Sequence, residues 1–280
     1  MMGTSNSNGQ ALGNKVFSLY YGNWPACSGA TCFITIVDTF ITNFARSTWF
    51  GVISTYLNGY GGAAIPTALV NSGMAKVPYS NTIGGTASSP ITVTTVTAAF
   101  QALINAGTII PDENTLYMFT QSKDMYYSDG PGWQFGPSHI DYCGFHWSTV
   151  VTLRSSTTQV TIKWMLVPDP TNWTSGCSTV GASSTTPNKN YGADAMISIL
   201  AHEIGEALSD PMGDAWFDSA GEENADKCSW NFGSNYYSAN GGTNNANIAI
   251  TDALGTTRYY LIQQNWEYTT GTQMCTMAPY

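Results

Sequence analysis

Apolar residues recur at helical spacing in several stretches of the chain and alternate, or cluster as β-branched and aromatic runs, in others. Ile36, Val37, Phe40, Ile41 and Phe44 predict an amphipathic helix over 32–47. A second helix or helical extension is expected over 48–57, stopped by the Gly59-Tyr60-Gly61-Gly62 turn. Val96, Phe100, Leu103 and Ile104 predict a third helix over 93–106, with Gly107 as its stop. The clearest helix spans 192–209, with Ile197, Leu200, Ile204 and Leu208 as its apolar stripe. It ends at Asp210-Pro211, because the residue before proline avoids the α region. Strands are predicted at 15–21, 116–121, 147–153, 160–167 and 258–264 from period and propensity. The Ser/Thr/Gly-rich stretch 66–90 reads as weak edge strands and loops, and 168–189 as a long polar connection. Residues 1–14 read as a flexible leader. With no internal repeat and no sharp break in composition, 15–280 reads as one α+β domain: a mixed β-sheet with one long helix.

Composition narrows what such a domain can do. Of 280 residues only 10% are charged, against roughly a quarter in an average soluble protein. Thr, Ser, Asn and Gly replace the missing charge. A 43% apolar and 13% aromatic content can offset chain entropy, so disorder is not expected. No run of 18 apolar residues occurs, which excludes a membrane-spanning helix. The net charge of −9, without a Lys/Arg cluster, argues against a nucleic-acid partner. It suits cations and neutral polymers such as glycans. Cys27, Cys32, Cys143, Cys177, Cys228 and Cys275 are an even, scattered set, natural for three disulfides in an oxidising compartment. Six cysteines allow 15 connectivities. We favour Cys27–Cys32, Cys143–Cys177 and Cys228–Cys275; buried free thiols in a cytosolic protein are the alternative. Asn172-Trp173-Thr174 is an N-glycosylation sequon. Residues 1–14 lack the basic and apolar segments of a signal peptide, so a secreted protein would have had its leader removed.

The long helix carries the chemistry. It reads Asp194 to Asp210 with His202-Glu203-Ile-Gly-Glu206 at its centre. Side chains four residues apart share a helix face, roughly 6 Å apart, so His202 and Glu206 can reach one cation. Glu203 stands where H-E-x-x-H metalloproteases keep their general base. A carboxylate in place of the second histidine makes the site harder and less discriminating against calcium. Asp210, at i+8, is too far along the axis to share that ion and reads as a helix-end residue. The loop 214–226 packs five acids into 13 residues, in a chain that has 18 in all. Asp214, Asp218, Glu222, Glu223 and Asp226 are therefore candidates for the remaining ligand or for a separate Ca²⁺ site. His146 is a further candidate. Against this, a His–Glu pair on a helix is more often solvated or structurally hydrogen-bonded, and acids in loops more often face water. The aromatics Tyr126, Tyr127, Trp133, Phe135, Tyr236 and Tyr237 can stack on sugars or cap the core, and capping is the more frequent use. Cys143 and His146 make a poor nucleophile pair, and there is no phosphate-cradling loop or GxSxG elbow.

Several segments together resemble the phosphate-induced protein 1 / exordium-like family, in particular its relatives in microbial eukaryotes and bacteria. They are Val16 to Gly22, Leu116 to Ser122, Tyr142-Cys-Gly-Phe-His146, Gly192 to Met196, Ser209-Asp-Pro211 leading to Ala215-Trp216-Phe217, and the late Cys228 and Cys275. The resemblance implies an extracellular, wall- or matrix-associated protein linked to growth, without a defined reaction. It also implies for His146 a role other than zinc ligation. Two functions are expected to compete. One is a zincin-like hydrolase with His202, Glu206 and an acid of 214–226 on a divalent cation, zinc first and calcium second, and Glu203 as base. The other is a non-catalytic matrix or cell-wall protein that binds an extracellular glycan or protein, or itself, around structural Ca²⁺. A carbohydrate-binding module is a third.

Overall fold

The structure is a computed structural model and describes residues 15–56, 65, 68–137, 139–172, 176–178, 185–269 and 272–279. The expected leader 1–14 and the 59–62 turn lie outside these residues. In chain order, strand β1 (Lys15–Tyr21) is followed by helices α1 (Phe33–Asn43) and α2 (Thr48–Ile53). Then come β2 (Val70–Val77), α3 (Val93–Ala106) and β3 (Thr115–Gln121). Three short strands follow, β4 (Tyr127–Ser128), β5 (Gln134–Gly136) and β6 (His139–Ile140). The pair β7 (Phe145–Thr152) and β8 (Gln159–Leu166) leads to α4 (Tyr191–Ser209). The chain closes with β9 (Ile248–Thr251), β10 (Thr257–Tyr260), β11 (Asn265–Thr269) and β12 (Thr272–Thr276).

Five strands make one sheet in the order β2-β1-β3-β8-β7. The first four are parallel and β7 runs antiparallel along β8, so the sheet is mixed. Parallel strands covered on both faces read as continuous apolar runs, and all seven residues of β3 are buried. Alternation along the strands sorts the two faces. Phe17, Tyr21, Tyr117, Phe119 and Trp164 pack with each other or with Phe100 of α3 on one side. Tyr20 on the other side donates to Asp38 of α1. The strand β2 is where the sequence is weakest: Val-Asn-Ser-Gly-Met-Ala-Lys-Val alternates only between exposed and half-buried, because it closes an edge.

Helix ends follow local chemistry. Thr92 caps α3 in a reciprocal box with Thr95, and Gly107 ends it at φ 76°, in the left-handed region glycine tolerates. Helix α4 begins at an Asn190 side-chain cap and stops at Asp210. It packs against α1, α2, β7 and β8, and almost every residue of it is buried. Ile197, Leu200, Ile204 and Leu208 are essentially inaccessible to solvent, each burial contributing roughly 1.5–3 kcal/mol. The core also takes Tyr127 and Phe135, while Trp133, Tyr236 and Tyr237 stay exposed. The expected strand over 258–264 is shorter, ending at Tyr260, and pairs with β9; β11 and β12 form a further antiparallel pair. Disulfides Cys27–Cys32, Cys143–Cys177 and Cys228–Cys275 close as expected. They fit an oxidising, extracellular location. Among the described residues no helix is long and apolar enough to cross a membrane.

Candidate metal centre

Three segments converge on the middle of α4. The helix supplies His202, Glu203 and Glu206. The antiparallel strand β7 supplies His146: Phe145 packs on Trp164 on the α3 side, so period-two alternation turns His146 toward α4. The loop after α4 supplies Glu223 and Asp226. That loop is held down at several points. Asn224 donates to the Ser209 hydroxyl, Gln263 to the Ala225 carbonyl, and Cys228 is tied to Cys275.

The distances suit shared ligation. His202 Nε2 lies 3.0 Å from Glu206 Oε1 and 3.4 Å from Asp226 Oδ1. His146 Nδ1 lies 3.7 Å from Glu203 Oε2 and 3.8 Å from Glu206 Oε2, and its Nε2 lies 3.7 Å from Glu223 Oε1. Two triads have ligand atoms close enough to hold a cation, His202/Glu203/Glu206 and His146/Glu206/Glu223. Nitrogen and carboxylate donors of this kind suit zinc and related divalent ions. Glu203 Oε2 and Glu223 Oε1 are buried without a hydrogen-bond partner.

Charge crowding shifts the titrations. Burial works against the His146 cation, but the carboxylates of Glu223, Glu203 and Glu206 outweigh it and push its pKa up to about 10. Burial pushes Glu223 up to about 9 and also raises Glu203. Burial would raise Asp226 too, but the His202 ring holds it below the usual carboxylate range.

Gly144 stands against Glu203. A Cβ there would come within 2.8 Å of Glu203 Oε1 and of Ile199 Cγ2. Beside it opens a cleft of about 320 Å³ lined by His202, Glu203, Asp226, Tyr142, Ile199 and Trp230, among others. The disulfide Cys143–Cys177 pins the strand entry at its rim.

Of the expected site residues, His202, Glu203, Glu206, Glu223 and Asp226 are brought together. Asp218 is engaged elsewhere, with the Lys227 ammonium and the backbone N–H groups of Ala220 and Glu222. Asp214 belongs to neither triad; its N–H, with that of Ala215, donates to the Asp210 carboxylate that closes the helix end. His146, which the family resemblance set apart from ligation, sits in the cluster. The β-alternation of Phe145-His-Trp147 was the one signal for its direction, and no local pattern shows which helix it faces. Asn172 is exposed and donates to the Lys123 carbonyl, and the rest of its sequon lies outside the described residues.

A family model described as the phosphate-induced protein 1 conserved region matches residues 8–277. A curated relative, EXORDIUM-like 3 of Arabidopsis thaliana, is 28% identical over 174 residues, covering 55% of this chain and 47% of its own length. The chain thus spans about half the length of that relative. No solved structure matches the chain.

Proposed function

The chain belongs to the phosphate-induced protein 1 family, and from that premise we propose that it is a secreted, metal-dependent hydrolase of peptidase-like chemistry. The observation that carries this reading is Glu203. Its carboxylate is buried, one oxygen has no hydrogen-bond partner, and it lies beside a His/Glu ligand set at a cleft. His202 and Glu206 would hold the cation, zinc first, with Asp226 next to His202. When bound, that ion supplies Lewis acidity toward a substrate carbonyl. Glu203 takes a proton from the attacking water and returns it to the leaving amine. Burial raises its pKa, which makes it a better acceptor for that proton. The neighbouring walls, Tyr142, Ile199 and Trp230, would orient an extracellular protein or glycoprotein chain, and Asn172 would carry an N-glycan.

The test is metal analysis of the purified chain together with casein hydrolysis by wild type and Glu203→Gln. The expected result is bound zinc in both proteins and a rate loss of about 10²-fold or more in the variant. A folded wild type without any divalent metal would overturn the reading. Bound calcium with no hydrolysis, and EDTA lowering the melting temperature alone, would instead support a non-catalytic wall or matrix protein that contacts a polymer or itself.

A further inference from the structure

We propose that the site holds two divalent cations bridged by the Glu206 carboxylate. This rests on the metal reading above and deepens it. The two oxygens of Glu206 face different histidines: Oε1 stands 3.0 Å from His202 and Oε2 stands 3.8 Å from His146. Each histidine belongs to a separate triad, and Glu206 is common to both. A carboxylate that offers one oxygen to each of two ions holds them at the separation of two-metal hydrolases, roughly 3.5–4 Å.

His146 is oriented as a ligand. Its Nε2 lies 2.9 Å from the Asp210 carbonyl oxygen, which can only accept, so Nε2 carries the proton and donates. A ligating histidine commonly donates its other N–H to a carbonyl in this way. Nδ1 then turns toward Glu203 Oε2 and Glu206 Oε2 at 3.7 and 3.8 Å, too far for hydrogen bonds. Positive charge belongs among Nδ1 and these two carboxylates, and a cation placed there would displace the ring's second proton. Glu203 Oε2, on a residue 3% exposed, has no other partner.

Charge balance points the same way. Glu203 and Glu206 are buried and Glu223 is partly buried, with Asp226 exposed beside them, and uncompensated buried charge is costly. Cations bound among them would offset this charge and displace the protons that the crowded groups hold without metal. The first ion takes His202 and Glu206 Oε1 beside Asp226, the second His146, Glu206 Oε2 and Glu223. A mixed N/O shell without thiolate suits Zn²⁺ or Mn²⁺. Such a pair clamps a substrate oxygen from both sides, as in the hydrolysis of an amide or phosphoester bond.

The full chain, stripped with EDTA, is titrated with Zn²⁺ and separately with Mn²⁺, and metal content is read by elemental analysis. The expected result is two equivalents per chain, with a spin-coupled spectrum for the Mn²⁺ form in electron paramagnetic resonance. His146→Ala is expected to keep one equivalent and show the six-line signal of an isolated ion. Should that variant fail to fold, Glu223→Gln serves in its place, and the wild-type stoichiometry alone decides the count. One equivalent in wild type overturns the second site but leaves the hydrolase reading standing. Two uncoupled ions overturn the bridge. No bound metal overturns both readings.

Discussion

Gly144→Ala probes the contact on which the proposed base depends. The backbone φ of Gly144 is not in the left-handed region, so alanine is tolerated conformationally and the effect is steric. The new Cβ would lie 2.8 Å from Glu203 Oε1, 2.8 Å from Ile199 Cγ2 and 3.1 Å from the Leu166 carbonyl oxygen. Ile199 is β-branched and rotationally stiff in its helix, and the carbonyl belongs to the β8 backbone. Glu203 is therefore the group that gives, by several tenths of an ångström, or α4 itself retreats from β7. Overpacking of this kind costs about 1–3 kcal/mol. With an unfolding entropy of about 2.1 cal/mol/K per residue, a chain of 280 residues loses roughly 2–5 °C in melting temperature. A base displaced by a fraction of an ångström costs roughly tenfold in rate, given that about 1 Å can cost 10²-fold. Thermal melts by circular dichroism, zinc content and casein hydrolysis, measured on the same preparation, read all three effects. The expected pattern is a small drop in melting temperature, retained metal and a larger fractional loss of rate. An unchanged melting temperature with full activity would mean that strand and helix do not meet at this point, and the placement of Glu203 would have to be abandoned.

Removal of Cys228–Cys275 as a double alanine variant releases a link spanning 47 residues; by chain entropy that costs roughly 4 kcal/mol, on the order of 7 °C. Because the same bridge anchors the loop bearing Glu223 and Asp226, metal affinity by titration calorimetry should weaken as well. Unchanged affinity would show the loop to be held by Asn224 and Gln263 alone. At the acid end, hydrogen bonding to the Lys227 ammonium lowers the Asp218 pKa to about 2. Its folded pKa is depressed, so its contribution is present above the unfolded value near 3.9 and is lost as pH falls toward 2. The melting-temperature gap between wild type and Asp218→Asn should be widest above about pH 4 and close by about pH 2. A gap that does not vary with pH would exclude the ion pair as its cause.

Much of the fold was legible locally. Helix α3 runs over the residues its apolar spacing and Gly107 marked, and α4 starts one residue earlier than predicted, where Asn190 caps it. The central strands were legible because burial on both faces leaves continuous apolar runs. Strand β2 was blurred, since an edge strand with exposed alternate positions carries little apolar signal. The pairings β9-β10 and β11-β12 were missed in part, because polar strands of four or five residues are specified by their partners and by Cys275 rather than by their own pattern.

The site divides in the same manner. His202, Glu203 and Glu206 could be read as one group, because helical spacing is a local property that fixes which side chains share a face. Which acids of the 214–226 loop approach them depends on where that loop is tied, and composition offers Asp214 and Asp218 as readily as Glu223 and Asp226. His146 lies 57 residues before Glu203 in the chain. A strand reverses direction beside β8 to bring it there, and nothing in its neighbours along the sequence encodes that meeting. Periodicity and caps determined the elements and half of the cluster; the sheet order and the Cys228–Cys275 tether decided the other half, since proximity across distant segments is created only when the elements pack.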